Sequence, residues 1–211
     1  MIARQLTGAS MRRGIRKAAE NDPRLKRALK EFGYPQIRQR DPGFETLLHI
    51  ITGQQLSTHA ANAIWDRLQT LVQPFTPDNL LMQRDDSLRA VGMSKQKIAY
   101  AQSLAHLVNK GMVDFKRIAN LEDEDAAKEL MQIKGVGRWT ADIYLLFALG
   151  RRDIWPVDDL ALVVATQRLY GMRLRPSRKR LLTIGKAWQP WRGAVSIFLW
   201  KYYRAVIANR P

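Results

Sequence analysis

The sequence of 211 residues contains no cysteine. This absence excludes disulfides, zinc–thiolate sites, cysteine-ligated iron–sulfur clusters and a cysteine nucleophile. Its three histidines (His49, His59 and His106) lack the spacing of metal ligands, and His49 lies in an apolar helical stretch that predicts a core position. No apolar run is long enough to span a bilayer, so we do not expect an integral membrane protein. A membrane partner is not expected either.

Acidic residues are missing from one whole end of the chain. After Asp159 there are 11 lysines and arginines and no aspartate or glutamate, and residues 1–40 hold 11 basic residues against three acidic ones. The stretch between them has 13 basic and 16 acidic residues, so the net charge of +16 comes from the two ends. This distribution favours a polyanionic partner, nucleic acid before a membrane surface. A basic surface that only aids solubility is the alternative.

Sustained alternation of apolar and polar residues, which is typical of β-strands, is also missing. Apolar residues instead recur at helical spacing almost throughout the sequence. Phe44, Leu47, Leu48 and Ile51, for example, fall at positions i, i+3, i+4 and i+7 of one helix. The pattern predicts an all-α fold. Helix starts are indicated by N-capping residues, which are found at Asp22-Pro23, Thr76-Pro77 and Ser94.

The charge distribution predicts two lobes. Residues 1–40 plus 168–211 would form a basic terminal helical lobe, and residues 41–167 a central helical lobe. The first 20 residues are rich in arginine and show no clear apolar periodicity, so we interpret them as a basic arm in preference to a transit peptide.

The most informative segment runs from Leu130 to Ala141 and reads LMQIKGVGRWTA. One helix is predicted to end near Met131 and the next to begin near Arg138, joined by a tight turn with Gly135 and Gly137. Two glycines allow positive φ angles and a close backbone approach to a ligand. The N-terminus of the following helix suits a phosphate group. An ordinary helix–helix turn is the alternative.

This segment resembles the hairpin of the helix-hairpin-helix DNA glycosylases, which grips one DNA backbone without reading its sequence. The resemblance implies that backbone amides around Gly135, Gly137 and Trp139 hold a phosphate. The further DNA-binding residues expected here are Lys134, Arg138 and Thr140. In several members the carbonyls of the turn bind a monovalent cation, which implies Na⁺ or K⁺ at those of Met131, Ile133 and Val136. No other cofactor is expected.

Downstream, the segment WPVDDLAL contains Asp158 and Asp159. On local grounds the pair could simply be an N-cap and a first-turn acid favoured by the helix dipole. The segment resembles the element that carries the essential aspartate in the alkylated-purine branch of the family, the DNA-3-methyladenine glycosylase II type. The resemblance assigns Asp159 as the catalytic residue and leaves Asp158 as the helix cap.

Two tryptophans are expected in the base pocket. Bifunctional members place a Schiff-base lysine where this chain has Trp139, so strand cleavage by β-elimination is not expected. An indole can instead stack on a cationic purine. The final tryptophan of the carboxyl-terminal helix lines the pocket in the same branch, which implies Trp200, whereas Trp188 and Trp191 are expected to be core residues.

A third landmark is the segment that ends in Gly53-Gln54-Gln55-Leu56-Ser57. In relatives, a residue here enters the minor groove and fills the gap left by the extruded nucleotide. We expect Gln55 to be this wedge, with Leu56 as the alternative and Gln54 among the DNA-binding residues. The turn at Ser94 and Lys95 resembles a second contact to the DNA backbone.

The resemblance implies a two-lobed, all-α helical bundle with the active-site cleft between its lobes and the helix-hairpin-helix at about residues 123–150. It implies the compact form without the N-terminal β domain of the bacterial type II enzyme. The expected function is a monofunctional DNA glycosylase of base excision repair that flips out alkylated purines of the 3-methyladenine and 7-methylguanine type. The alternatives are a bifunctional glycosylase-lyase for oxidised bases and a non-catalytic helix-hairpin-helix DNA-binding protein. We expect a monomer that binds damaged double-stranded DNA in the bacterial nucleoid (cytoplasmic) or in a nucleus, and so inside the cell.

Overall fold

A computed structural model of the protein describes residues 6–208, with side chains as far as residue 206. Within that range the backbone forms α-helices and no β-strand, which confirms the all-α prediction. The helices are α1 (Gly8–Glu20), α2 (Pro23–Phe32), α3 (Phe44–Gly53), α4 (Thr58–Leu71), α5 (Pro77–Leu81), α6 (Asp85–Ala90), α7 (Lys95–Asn109), α8 (Phe115–Asn120), α9 (Asp123–Leu130), α10 (Arg138–Phe147), α11 (Leu160–Leu169), α12 (Arg178–Lys186) and α13 (Arg192–Tyr203). A π-helical turn (Arg204–Ala208) follows α13.

The chain divides into two compact units, which we call the terminal unit and the central unit. The terminal unit combines the described residues up to 39 with those from 145 onwards, and the central unit is the continuous stretch 40–144. The division near residue 40 agrees with the lobes predicted from the sequence. The second boundary was predicted after residue 167, whereas the structure places it after residue 144. Helix α11 packs on α13 and α2, which both belong to the terminal unit. Charge alone could not reveal this packing, because α11 is an apolar helix.

The terminal unit begins with a helix where the sequence analysis expected a basic arm. Thr7 caps α1 by accepting a hydrogen bond from the Ser10 N–H at 3.2 Å. Met11 and Ile15, one helical turn apart, are buried and form its inner face. The basic residues of α1 are exposed on its outer face. The prediction of a basic arm is therefore wrong for residues 8–20, which form a packed helix. Residues 1–5 lie outside the described part of the chain.

A buried carboxylate joins distant parts of the terminal unit. Asp22 is the predicted N-cap of α2 and accepts from the Arg24 and Leu25 N–H groups. Its other oxygen accepts from the hydroxyl of Tyr170 at 2.6 Å and from the indole N–H of Trp188 at 3.1 Å. Four donors therefore satisfy a carboxylate that is only 4% exposed. Trp188 is fully buried, as expected of a core residue.

The central unit holds its own apolar core, formed mainly by α3, α4, α5 and α7. His49 packs edge-to-face on Trp65, with ring centroids 4.6 Å apart. Burial of the imidazole, with the nearby positive charge of Arg40, lowers the pKa of His49 from 6.5 to about 4. The ring is half-buried, so the prediction of a core histidine holds in part.

Among residues 6–208, no helix is both long and apolar enough to cross a membrane. Over the same residues, no three histidine, cysteine or acidic side chains cluster in a way that could hold a metal ion.

Candidate functional site

The turn between α9 and α10 has the predicted hairpin geometry. Helix α9 ends at Leu130 and α10 begins at Arg138. The Ile133 N–H donates to the Leu130 carbonyl at 3.1 Å, and the Val136 N–H donates to the Ile133 carbonyl at 3.0 Å. The side chains of Ile133 and Val136 are buried and anchor the turn, whereas Lys134 is exposed.

The two hairpin glycines differ in how far the protein itself requires them. Gly135 has a φ of +87°, and a Cβ there would collide with the ring of Tyr100. Both constraints are internal to the protein. A Cβ on Gly137 would meet no heavy atom of the described residues within 4 Å, and its φ lies outside the left-handed region. Nothing within the described structure therefore demands glycine at 137, but a ligand that approaches the backbone closely would.

Arg138 has a role that the sequence analysis did not expect. Its guanidinium makes a two-pronged ion pair with Glu124, at 2.7 and 2.8 Å, and bonds Asp142 at 2.9 Å. These carboxylates raise the pKa of Arg138 above its usual value, so the guanidinium stays charged and is balanced by their negative charges. The prediction that Arg138 adds positive charge for a phosphate is therefore not supported: it ties α9 to α10.

Thr140 and Gln54 also form internal contacts. Thr140 is only 2% exposed, so its side chain is buried, and its expected DNA contact stays a prediction. Its hydroxyl accepts from the side-chain amide of Gln54 at 2.9 Å, and the same amide donates to the Gly135 carbonyl at 2.9 Å. Gln54 therefore joins the end of α3 to the hairpin. Its predicted DNA contact stays a prediction.

The wedge candidates occupy an exposed turn after α3. Gln55 and Leu56 are both exposed. Gln55 has a φ of +58° and is the one non-glycine residue of the described chain with a positive φ. Such a conformation is uncommon outside glycine and often marks functional sites. At the position predicted for the wedge, the structure thus has an exposed side chain on a backbone with an uncommon positive φ.

Sequence reasoning missed Lys97. Its Nζ donates to the carbonyls of Thr52 and Gln54 at 2.7 and 2.8 Å. One signal could have revealed it: a lysine three residues after the N-cap Ser94 stands near the positive pole of α7, where a cation is disfavoured without a specific partner. Ser94 caps α7 as predicted, and it and Lys95 are exposed.

In the terminal unit, the two adjacent aspartates have roles that differ from those expected. Asp159, and not Asp158, is the N-cap of α11, and its Oδ1 accepts from the Leu162 N–H at 2.9 Å. Asp158 is exposed and pairs with Arg178 at 3.3 Å. The assignment of Asp158 as the helix cap is therefore wrong. Either aspartate fits the N-cap of the following apolar run, so the local pattern could not separate them.

Trp200 lies beside the predicted catalytic carboxylate. Its indole Nε1 donates to Asp159 Oδ1 at 3.0 Å. The ring also packs on Phe147, with centroids 5.5 Å apart and an interplanar angle of 31°. Helix α13 therefore places the edge of an indole against the N-cap residue of α11, and both residues are half-buried. The arrangement fixes one carboxylate oxygen and adjoins an aromatic surface.

The predicted residues fall into two groups. Asp159 and Trp200 belong to the terminal unit and are joined by a hydrogen bond. Trp139, the half-buried second residue of α10, belongs to the central unit. The remaining predicted DNA-binding and cation-binding residues are also in the central unit.

The cation expected at the hairpin would depend on backbone carbonyls of Met131, Ile133 and Val136. Backbone carbonyl oxygens can coordinate a monovalent ion such as K⁺. The Ile133 carbonyl already accepts the Val136 N–H, which leaves it one lone pair for a ligand bond. These carbonyls therefore fit a monovalent ion only in part.

Comparisons with known proteins give a consistent result. DNA-3-methyladenine glycosylase 1 of Schizosaccharomyces pombe is 30% identical over 196 residues, which cover 91% of this chain and 86% of the yeast protein. The crystal structure of a DNA-3-methyladenine glycosidase from Bacillus halodurans superposes with a TM-score of 0.80 at 32% identity, covering 93% of this chain and 91% of the other.

A solved structure of the Schizosaccharomyces pombe 3-methyladenine DNA glycosylase in complex with abasic DNA gives a TM-score of 0.83 at 27% identity, covering 91% of this chain and 95% of the yeast chain. The model of the HhH-GPD superfamily base excision DNA repair proteins matches residues 48–190. Because this match extends from α3 through the hairpin and past Asp159, the chain belongs to the HhH-GPD superfamily of base excision DNA repair proteins.

Proposed function

We propose that the protein is a monofunctional DNA glycosylase that hydrolyses the N-glycosidic bond of alkylated purines, of the 3-methyladenine and 7-methylguanine type. The observation that carries the proposal is Asp159, whose Oδ1 is held by the Leu162 amide and the Trp200 indole. The similar proteins named 3-methyladenine glycosylases support the substrate class. It would act as a monomer on damaged double-stranded DNA, inside the cell.

One carboxylate is sufficient for this reaction. As the bond between C1′ and the purine nitrogen breaks, its electron pair leaves with the base and the sugar gains oxocarbenium character. A fixed anion stabilises this charge. The oxygen of a water molecule then bonds to C1′, and Asp159 orients that water and accepts its proton. An alkylated purine is already cationic and leaves as a neutral base, so no strong general acid is required.

The hairpin would hold the DNA during the reaction. Exposed Gly137 and the first amides of α10 offer donors to one phosphate, and exposed Lys134 adds charge. Because these donors recognise only the backbone, binding would not depend on sequence. Trp139 and Trp200 would supply aromatic surfaces for the extruded base, and Gln55 would fill the gap in the duplex. A Na⁺ or K⁺ ion at the hairpin carbonyls would assist its grip on the phosphate.

The test is to incubate the protein with DNA methylated with tritium-labelled methyl groups and to identify the released bases by chromatography. We expect 3-methyladenine and 7-methylguanine from the wild type and little of either from Asp159→Asn. Release of neither base by the wild type would refute the proposed activity.

The monofunctional mechanism is tested separately. Trp139 stands where a Schiff-base lysine would be needed, so borohydride should trap no covalent complex, and strands should break only after alkali treatment of the product. Efficient trapping would refute this part of the proposal and would direct attention to Lys134.

A further inference from the structure

The end of α3 leaves backbone carbonyls that the helix itself cannot satisfy. The Ile51 carbonyl accepts the Gln54 N–H at 3.2 Å, and the Gly53 carbonyl accepts the Leu56 N–H at 3.3 Å. The Thr52 carbonyl, between them, is bonded by the ammonium of Lys97 at 2.7 Å. A side chain from another helix, α7, therefore completes the end of α3.

The same ammonium continues into the turn. It donates to the Gln54 carbonyl at 2.8 Å, and Gln55 follows directly with its φ of +58°. A non-glycine residue keeps this conformation only where its surroundings hold it. Lys97 fixes the carbonyl of the peptide unit that leads into Gln55. The Gln54 side chain, bonded to the hairpin, restrains the turn from another side.

Lys97 occupies a position that is unfavourable for a cation. It lies in the first turn of α7, at the positive pole of that helix, and burial lowers the pKa of its ammonium. The compensating interactions are with the negative pole of α3, where a cation is favoured. An apolar side chain would be less costly at this site if only helix packing were required.

We propose that Lys97 is a positioning residue for base extrusion: it holds the turn at residues 52–55 so that Gln55 stands ready to enter the duplex. The proposal rests on the proposed glycosylase function. Gln55 is the residue that touches DNA, and Lys97 acts through it. The benefit should be greatest where extrusion is hardest, because unstacking a paired base costs more than unstacking an unpaired one.

The experiment compares 3-methyladenine opposite thymine with 3-methyladenine opposite a tetrahydrofuran abasic analogue, in single-turnover release. We expect Lys97→Met to slow release about 10-fold or more from the paired site, and less than about 3-fold from the unpaired site. Lys110→Met is the matched control, since it removes the same charge just beyond the other end of α7, roughly 20 Å away. It should alter neither rate.

Because the wild type has no cysteine, Lys97→Cys can be alkylated at that site alone with 2-bromoethylamine, which restores an ammonium on a chain of similar length. Aminoethylation should restore most of the paired-site rate to this variant and should change nothing in Lys110→Cys. The role of Lys97 would be overturned if Lys97→Met slowed release equally from the paired and the unpaired site. It would also be overturned if aminoethylated Lys97→Cys were folded but did not recover the paired-site rate. Absence of release by the wild type from either duplex would instead overturn the proposed function, and this inference with it.

Discussion

The indole nitrogen of Trp200 donates a hydrogen bond to Asp159 Oδ1 at 3.0 Å, and the same oxygen caps α11 through the Leu162 amide at 2.9 Å. One aspartate thus begins a helix and is oriented by an aromatic side chain from another. Helices α11 and α13 of the terminal unit thus set the position of this carboxylate. Mutations can separate its contribution to stability, as a helix cap, from its proposed contribution to catalysis, as a negative charge.

Asp159→Asn should lower the rate of base release by about 10² to 10³, because it removes the charge that we propose stabilises the oxocarbenium. The amide oxygen of asparagine can still accept both hydrogen bonds. The free energy of unfolding should change little, since asparagine caps a helix nearly as well as aspartate. Single-turnover release and thermal unfolding measure the two effects.

Asp158→Asn is the matched control. It weakens only an exposed ion pair with Arg178, which contributes less than about 1 kcal/mol, so the variant should stay active. An inactive Asp158→Asn beside an active Asp159→Asn would show that the catalytic assignment is one residue out.

Trp200→Phe should lower the rate about 10-fold and leave KM nearly unchanged, because it deletes the donor to Asp159 but retains an aromatic ring near Phe147. Steady-state kinetics on methylated DNA would measure both parameters. Trp191→Phe makes the same chemical change at a ring that contacts Arg13 and Arg152, and it should reduce stability without changing the rate. Equal rate losses in the two variants would argue against an orienting role for the indole.

Salt dependence should distinguish Lys134 from Arg138. If the protein contacts about five phosphates, log K should fall against log salt with a slope of roughly −4 to −5. Lys134→Gln should make this slope shallower by about 1 if this exposed hairpin lysine contacts a phosphate, as we propose. Arg138→Gln should leave the slope unchanged but should lower the unfolding free energy by about 1–3 kcal/mol, because it breaks bonds to Glu124 and Asp142. A slope change only in Arg138→Gln would reverse these assignments.

His49 should make stability depend on pH. Its pKa is lowered to about 4 in the folded chain, so between pH 6.5 and 4 the unfolded chain binds a proton that the folded chain does not. The free energy of unfolding should therefore decrease as the pH falls through this range and level off below it. The full shift corresponds to about 3 kcal/mol, which solvent screening of the half-buried ring reduces to about 1–2 kcal/mol.

The measurement is urea unfolding from pH 4 to 7, taken as the difference between the wild type and His49→Gln. The exposed His59→Gln provides the control and should keep the wild-type profile. A His49→Gln protein that loses stability with acid as steeply as the wild type would show that another group is responsible.

The sequence predicted those features that depend on local pattern. Helical spacing indicated the all-α fold, and N-capping residues marked the starts of α2, α5 and α7. The hairpin was located to within a residue at each end, because two glycines interrupt a strong helical pattern.

What the sequence could not predict depends on partners far along the chain. Arg138 looked available for phosphate because Glu124, its main partner, lies 14 residues earlier on another helix. The hydroxyl of Thr140 bonds Gln54, a partner 86 positions away that the local pattern around Thr140 does not indicate. Lys97 was overlooked for the same reason, since its acceptors lie at the end of α3.

The contacts of Asp22 have a consequence for how the chain is made on the ribosome. The central unit is continuous in sequence, so all of its residues emerge together and it can complete its own core during synthesis. Asp22 must wait until Tyr170 and Trp188, which lie 148 and 166 residues later, have left the ribosome. Until then α1 and α2 can pack on each other, but the faces that contact α13 and α11 stay exposed to chaperones and proteases.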